Sequence, residues 1–247
     1  MVEVASYSDK GGRDYNEDSV AVFEGEDRVC VIVADGLGGH GGGKTASETA
    51  SGLMARAFAN SPDPVDEQWL NEIFDSANQA VLYHQTARCR MKTTCVALFI
   101  RDGGAWWAHA GDSRLYHFVD GALEFCTMDH SVSQMAVLSG EITRAQIRFH
   151  EDRNKVLRAL GADEDIKADI DYAPVFDGRF HAFLLCSDGF WEYVLEGEME
   201  IDLSKAQTPG EWIGYMTERL EKKVSGKNDN YTAAAVFVIP DEIDDGR

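Results

Sequence analysis

Basic residues are scarce in this chain of 247 residues, which has 23 Lys and Arg against 43 Asp and Glu and a formal net charge of −20 at pH 7. Long-range repulsion at this charge disfavours nucleic acid and an anionic membrane as general partners. The same field disfavours a phosphorylated substrate unless arginine or a metal ion supplies positive charge locally. The low content of basic residues therefore argues against nucleic acids and anionic membranes as partners, and against phosphorylated substrates unless positive charge is supplied locally.

Cysteine is also sparse, and its positions form no recognisable pairing pattern. No Cys-x-x-Cys motif or Cys/His ligand spacing is present, which argues against structural zinc. An odd number of scattered thiols is typical of a reducing compartment. The five cysteines are Cys30, Cys89, Cys95, Cys126 and Cys186. We therefore expect free, mostly buried thiols and a cytoplasmic protein.

Long apolar runs and linkers are missing as well. No run approaches the ~20 residues that a membrane span needs, and residues 1–10 lack a basic region followed by an apolar one. No stretch rich in Pro, Ser or charge separates two cores. We predict one domain over residues 1–240, a charged tail over 241–247, no contact with a membrane, and a monomer as the default state.

What the chain does contain is a repeated pattern of a strand with an aspartate at one end. After a single strand, Asp-Gly is usually only a turn. Here a β-branched run at 31–33 precedes the first such aspartate, and six glycines then surround His40. The aspartates that share the pattern are Asp35, Asp112, Asp188 and Asp229. If the strands neighbour one another, these carboxylates repel unless cations lie between them, and all-oxygen ligands favour Mg²⁺ or Mn²⁺.

The order of predicted elements favours two antiparallel sheets with helices outside them. A hairpin over 19–34 precedes two amphipathic helices, and four short β-rich runs between 93 and 127 indicate one antiparallel meander. Residues 129–161 are polar and irregular, with helical patches at 133–138, 143–147 and 154–160, so we predict an inserted flap. A strand, a helix capped at Thr208 and a final strand complete the chain.

A rival motif lies in the glycine-rich segment. Residues 38–45 match the phosphate-loop pattern G-x-x-x-x-G-K-[ST], between a predicted strand and a predicted helix. Against this interpretation, the antiparallel meander lacks the repeated strand-helix-strand units of that fold. A P-loop nucleotide hydrolase is therefore the less favoured alternative.

Ordered motifs along nearly the whole chain resemble the metal-dependent serine/threonine protein phosphatases of type 2C, especially their compact bacterial members. The matching segments are Arg13-Asp14-Tyr15-Asn16-Glu17-Asp18, Asp35-Gly36-Leu37-Gly38-Gly39-His40, Thr93-Thr94, Gly111-Asp112-Ser113-Arg114, Asp129-His130-Ser131, Arg158-Ala159-Leu160-Gly161, Ser187-Asp188-Gly189-Phe190-Trp191-Glu192 and Asp229-Asn230. The resemblance implies an α+β fold, a four-layer α-β-β-α sandwich with a flap insertion.

The resemblance also implies a mechanism at a two-metal site. Asp35, with the Gly36 carbonyl, would bridge two Mn²⁺ or Mg²⁺ ions, and water between them would attack phosphorus. The remaining implied ligands are Asp188 and Asp229 for one ion, Glu17 and Asp18 for the other, and Asp112 for a weaker third ion. Arg13 resembles the phosphate-binding arginine, and His40 resembles the general acid.

Some motif residues carry less information. Arg114 and Arg158 are expected to form structural ion pairs, while Asp129 and His130 lie at the start of the flap and are not included in the catalytic set. Two departures from the family pattern are Lys92, where glycine is usual, and Glu192, where aspartate is common.

The implied partners are phosphorylated protein substrates, with a serine/threonine kinase or its targets. An alternative of another class is a non-catalytic phosphoprotein-binding regulator. Such a protein would have lost at least one core carboxylate, whereas this chain retains them all.

Overall fold

The computed structural model describes residues 1–38, 42–61 and 64–240. His40 and the predicted tail 241–247 lie outside the described residues. The strands are β1 (Val2–Asp9), β2 (Asp18–Glu24), β3 (Arg28–Leu37), β4 (Lys92–Thr93), β5 (Cys95–Arg101), β6 (Gly104–Ala110), β7 (Arg114–Val119), β8 (Ala122–Cys126), β9 (Asp169–Pro174), β10 (His181–Cys186) and β11 (Tyr231–Val238). The helices are α1 (Gly42–Asn60), α2 (Glu67–His84), α3 (Val132–Leu138), α4 (Asp188–Trp191), α5 (Glu196–Leu203) and α6 (Pro209–Lys223), with a 3₁₀-helix at Arg144–Phe149.

Two antiparallel sheets form the centre of the molecule. One sheet has the strand order β1-β11-β10-β7-β8, and the other has β2-β3-β5-β6-β9, with β4 paired to β3. Val31 and Val33 pack against Phe183 and Val236 between the sheets. Because alternate residues of a strand face opposite sides, the odd-numbered residues of β3 form the inner core.

Helices cover the outer face of each sheet. On one side, Ile32 packs with Met54 of α1 and Phe74 of α2. On the other side, Leu184 of β10 packs with Trp212 of α6. The predicted α-β-β-α sandwich is confirmed, and strands such as β3 are apolar on both faces because both faces are buried.

Side-chain caps set the start of two helices, and the sequence predicts the one at Thr208. The Asp66 carboxylate accepts a hydrogen bond of 2.8 Å from the Trp69 amide and begins α2. The Thr208 hydroxyl accepts from the Glu211 amide, with Pro209 at the first position of α6. Both contacts satisfy amides that have no partner within a helix.

The predicted single meander is wrong. β6 pairs with β5 and β9, whereas β7 pairs with β10 and β8, so the chain crosses between sheets at residues 111–113. Gly111 makes the crossing with a φ of +115°, and a Cβ atom there would lie 2.6 Å from the Thr94 Cβ. The crossing places Asp112 at the junction of the two sheets, which the apolar patterns alone do not reveal.

The predicted flap segment 129–161 contains helices at two of the three predicted patches. The patch at 154–160 is not helical, because its backbone pairs with distant segments. The Leu157 amide donates to the His130 carbonyl, and Thr93 and Leu160 exchange backbone hydrogen bonds of 3.0 and 2.9 Å. The helical periodicity there came from side chains that contact neighbours outside their own segment.

Arg114 and Arg158 form the ion pairs expected of them. Arg114 is buried and donates two hydrogen bonds of 2.7 Å to Asp129, and its guanidinium lies 3.5 Å from the centre of the Trp191 ring. Arg158 donates to Asp169 at 2.7 Å. Both pairs fasten the ends of residues 129–161 to the sheets.

Two other expectations concern the thiols and the membrane. Cys30, Cys95 and Cys186 are buried and all five cysteines are free, as predicted. No helix in the described part of the chain has the length and apolarity to cross a bilayer. A single domain over 1–240 stays a prediction.

Candidate active site

The aspartates at the strand ends meet at one edge of the sandwich, with contributions from both sheets. Asp18 begins β2 directly opposite Asp35 of β3. Asp188 follows β10 and Asp229 precedes β11, and these two strands are antiparallel neighbours in the other sheet. The strand-end pattern therefore correctly predicts the convergence of the carboxylates.

A cleft with a volume of about 950 Å³ opens at this edge. Its lining includes nearly all of the described residues for which sequence predicts a role, namely Arg13, Glu17, Asp35, Gly36, Asp112, Asp188 and Asp229. Asp18 is buried beside them at 8% exposure. The cleft thus unites the predicted residues, except His40, which the structure does not describe.

Asp18 has one satisfied and one unsatisfied carboxylate oxygen. Its Oδ2 accepts a hydrogen bond of 2.7 Å from the Ser187 hydroxyl. Its Oδ1 is buried and has no hydrogen-bond partner. Burial of a carboxylate oxygen costs free energy unless a cation or a hydrogen-bond donor contacts it. The chemistry of Asp18 Oδ1 therefore fits a metal ligand.

Two threonines hold the end of β3. The Thr93 hydroxyl and the Thr94 amide each donate to the Asp35 carbonyl at 2.9 Å. The Asp35 amide donates to the Thr94 hydroxyl at 3.0 Å. We call these hydrogen bonds of Thr93 and Thr94 to Asp35 the threonine clamp. Lys92, which departs from the family pattern just before the two threonines, pairs with Leu37 and is exposed. Its side chain therefore points away from the threonine clamp and does not displace it.

The start of α1 packs directly against Gly36. A Cβ atom on Gly36 would lie 2.2 Å from the Gly43 carbonyl oxygen, so only glycine permits this approach. The Ser47 hydroxyl donates to the Glu17 carbonyl at 2.6 Å, and the Gly36 amide donates to the same oxygen at 3.2 Å. The glycine-rich segment therefore brings helix, strand and the Glu17 loop together.

Asn230 is a site residue whose role sequence reasoning missed. Its Oδ1 accepts from the Glu17 amide at 2.8 Å, and its Nδ2 donates to the carbonyls of Tyr15 and Lys10 at 2.8 and 2.9 Å. Asn230 thereby holds the loop that carries Arg13 and Glu17. An asparagine next to Asp229 was the available signal, but its partners lie more than 200 residues away.

The cluster of carboxylates raises the pKa of several members. Burial, followed by repulsion from other carboxylates, raises the pKa of Asp35 and of Asp188 well above the ordinary value. Burial raises the pKa of Asp18 to about 6, and burial with repulsion from Asp129 raises that of Asp112 to about 7. The site carries more negative charge than its own cations balance, which favours bound cations.

Arg13 is a cationic side chain that contacts this cluster. Its Nη2 donates to Asp229 Oδ2 at 2.6 Å, and its side chain is 58% exposed. Attraction to Asp229, and then to Asp188 and Asp35, raises the pKa of the guanidinium. An exposed, charged fork at the cleft suits an anionic group such as a phosphoryl group.

The cleft carboxylates stand somewhat apart from one another. Of the described residues, only His109, His130 and Asp169 form a group of three with ligand atoms all within 4.8 Å. That group lies outside the residues that line the cleft.

The departure Glu192 makes a contact with the predicted flap. Its carboxylate accepts a hydrogen bond of 2.7 Å from Arg153. The neighbouring Trp191 donates from its indole nitrogen to the Asp112 carbonyl at 2.9 Å. Residues 191–192 therefore connect the turn at Asp112 with residues 129–161.

Residues 11–228 match the family model described as Protein phosphatase 2C. The serine/threonine phosphatase stp of Listeria monocytogenes serovar 1/2a is 34% identical over 232 residues, which covers 91% of this chain and 90% of that protein. Serine/threonine phosphatase Stp1 from Staphylococcus aureus is similar with a TM-score of 0.84 and 28% identity over 96% of this chain and 95% of that one. The catalytic domain of serine threonine protein phosphatase PstP in complex with 2 manganese ions is similar with a TM-score of 0.82 and 27% identity, over 96% and 98% of the two chains.

Proposed function

The chain belongs to the protein phosphatase 2C family and is a protein serine/threonine phosphatase, and we propose that it hydrolyses phosphoserine and phosphothreonine with the help of two Mn²⁺ or Mg²⁺ ions in the cleft. Phosphorylated proteins are accordingly its substrates. The observation that carries the proposal is the convergence of carboxylates from two sheets around Asp18, whose buried Oδ1 has no hydrogen-bond partner.

The ions would be held by residues of both sheets. Asp35, with the Gly36 carbonyl, would contact both ions. Asp188 and Asp229 would hold one ion, Glu17 and Asp18 the other, and Asp112 a weaker third. When bound, such ions make water a competent nucleophile near neutral pH and offset the charge of the phosphoryl group.

The chain's own groups orient the reactants around those ions. The threonine clamp fixes the backbone of Asp35, and Asn230 fixes the loop of Glu17. Arg13 would exchange its contact with Asp229 for the phosphoryl oxygens of the substrate. His40 would donate a proton to the departing seryl or threonyl oxygen, because an imidazole titrates near neutral pH. His40 lies outside the described residues, so its role stays a prediction.

Arg13→Ala is expected to lower kcat/KM for a phosphothreonine peptide by about ten- to a hundredfold, since a charge-assisted hydrogen bond contributes about 1.5–3 kcal/mol. Arg13→Lys should recover only part of the loss, because an ammonium cannot contact two oxygens as a planar fork does. Steady-state kinetics of the purified variants measure both effects.

Arg56→Ala is the matched control, because Arg56 is an exposed arginine on α1 about 20 Å along the helix from the cleft. Equal kcat/KM for Arg13→Ala and Arg56→Ala would contradict the phosphate-binding role of Arg13.

The two alternative functions differ from this proposal in specific ways. A P-loop hydrolase needs a parallel sheet, whereas β3 is antiparallel to both of its long neighbours, β2 and β5. A non-catalytic regulator would lack a core carboxylate, whereas every described carboxylate of the predicted set lies at the cleft. A kinase partner, a monomeric state and a cytoplasmic location stay predictions.

The proposal is tested by phosphate release from a phosphothreonine peptide, with Mn²⁺, with Mg²⁺ and with a chelator, and with ATP offered in parallel. Release from the peptide that requires the metal, without turnover of ATP, is the expected result. Unchanged activity in the chelator would contradict the metal-dependent mechanism. Turnover of ATP without release from the peptide would favour the nucleotide hydrolase.

A further inference from the structure

His130 holds the residue that precedes Asp112 through both of that residue's backbone polar atoms. The His130 amide donates to the Gly111 carbonyl at 2.9 Å, and the Gly111 amide donates to His130 Nδ1 at 3.1 Å. His130 itself is not among the residues that line the cleft. A side chain outside the cleft therefore fixes the backbone beside one of its carboxylates.

The turn at 111–113 is held from its other side as well. The Ser113 and Thr94 hydroxyls lie 2.7 Å apart, and Thr94 also accepts from the Asp35 amide. Gly111 is pressed against Thr94, which leaves its backbone little freedom on that side. Asp112 is only 2% exposed, and the Trp191 indole holds its carbonyl. What holds Gly111 on the opposite side is therefore a further constraint on the position of Asp112.

The second nitrogen of His130 faces an ion pair on β9. Nε2 lies 2.9 Å from Arg158 Nη1 and 3.2 Å from Asp169 Oδ2, and the ring stacks on His109 with centroids 4.6 Å apart. Burial and the adjacent His109 lower the pKa of His130 to about 4, so the ring is neutral near pH 7. Because the Gly111 N–H needs a lone pair on Nδ1, the ring proton is on Nε2 and faces Asp169. Arg158 Nη1 then donates its two hydrogens to the Lys167 carbonyl and to Asp169, at 2.9 and 2.7 Å, and none to the ring.

This tautomer argues against a metal site at His109, His130 and Asp169, although their ligand atoms lie within 4.8 Å of one another. Nδ1 accepts from a backbone amide, and Nε2 carries the proton beside a guanidinium. Neither nitrogen of His130 has a lone pair free for an ion, and Arg158 adds positive charge where the ion would lie.

We propose that His130 is a positioning residue that sets the affinity of the Asp112 carboxylate for a divalent ion, by accepting the Gly111 amide hydrogen on Nδ1. The inference rests on the proposed role of Asp112 as a metal ligand. Groups that orient a ligand without touching the ion typically change metal affinity by about ten- to a hundredfold when removed.

Three substitutions of His130 separate this role from general packing. Asparagine has an acceptor oxygen at about the reach of Nδ1, whereas glutamine reaches the position of Nε2 and alanine reaches neither. The matched control is His150→Ala, because His150 Nδ1 also accepts a backbone amide, that of Asp152 at 3.1 Å, within the same segment 129–161. Thermal melting in a chelator identifies any variant that fails to fold.

The readout is Mn²⁺ binding, followed by the electron paramagnetic resonance signal of free Mn²⁺, together with the Mn²⁺ concentration that gives half-maximal peptide hydrolysis. His130→Ala and His130→Gln are expected to weaken the weakest-bound Mn²⁺ by about ten- to a hundredfold. His130→Asn should remain within about threefold of the wild type, as should His150→Ala.

Asp112→Ala separates failure of this inference from failure of the proposed function. If Asp112→Ala leaves Mn²⁺ binding unchanged, Asp112 is not a ligand and that part of the proposed function is wrong. If Asp112→Ala weakens binding but His130→Gln does not, the inference alone is overturned. The inference is also overturned if His130→Asn and His130→Gln weaken Mn²⁺ binding equally. It is overturned as well if Zn²⁺ binding is lost in His130→Ala but retained in Asp112→Ala.

Discussion

Asp35→Asn is expected to reduce kcat for a phosphothreonine peptide by about a thousandfold or more, which corresponds to about 4 kcal/mol of transition-state stabilisation. The reason is that Asp35 is the residue proposed to contact both ions, and an amide lacks the charge needed to hold them. The threonine clamp binds only the backbone of Asp35, so the substitution leaves those hydrogen bonds in place.

The same substitution should stabilise the metal-free protein. The raised pKa of Asp35, caused by burial and by neighbouring carboxylates, means that its charged form is disfavoured in the folded state. Asparagine removes that charge, and we expect a gain of about 1–3 kcal/mol in unfolding free energy at pH 7.5 in a chelator. Loss of activity with increased stability distinguishes removal of a functional group from damage to the fold.

Asp75→Asn, at an exposed position of α2, is the control for the loss of one negative charge. It should change neither kcat nor the free energy of unfolding. Near-normal turnover by Asp35→Asn would show that the two-metal assignment is wrong.

Stability of the metal-free protein is expected to rise by a few kcal/mol as the pH falls from about 7.5 to about 5.5. The pKa of Asp18 in the folded protein is about 6 and that of Asp112 about 7, both above the unfolded value near 4. Between these values the folded state binds more protons than the unfolded state. The stability contributed by these groups is therefore fully present below the unfolded pKa and is lost as pH rises through the folded pKa.

Divalent ions should reverse this dependence, because they bind the deprotonated carboxylates and stabilise only the folded state. Thermal or urea unfolding at several pH values, in a chelator and in Mn²⁺, measures both trends. Below about pH 5 the trend should turn, since ion pairs lower the pKa of carboxylates such as Asp169 and Asp202, and these pairs lose stability as pH falls. A metal-free protein whose stability falls steadily from pH 7.5 to 5.5 would contradict the repulsion in the cleft.

The ends of the strands were predictable from sequence, because a buried strand requires apolar side chains whereas the residue at its end can be polar. The apolar run of β3 and the carboxylate of Asp35 are visible without any tertiary information, and so is the cap of α6. The convergence of Asp35, Asp188 and Asp229 followed once the strands were taken as neighbours.

Contacts between distant segments were not predictable in the same way. The crossing at Gly111 separates β6 from β7 because of a close approach to Thr94, which no local pattern encodes. Residues 154–160 have helical periodicity but pair with Thr93 and His130 instead. The bond from Gly111 to His130 belongs to the same class, because both residues lie in matching motifs but nothing in the sequence shows that the two motifs contact each other.

The central claim, that two divalent ions lie in the cleft between the sheets, is tested most directly by anomalous diffraction at the manganese absorption edge from crystals grown with Mn²⁺. We predict two anomalous peaks bounded by Asp35, Asp18, Asp188 and Asp229, with Asp35 contacting both. Peaks only elsewhere, for example beside His109 and Asp169, or no peak in the cleft of an active preparation, would contradict the account.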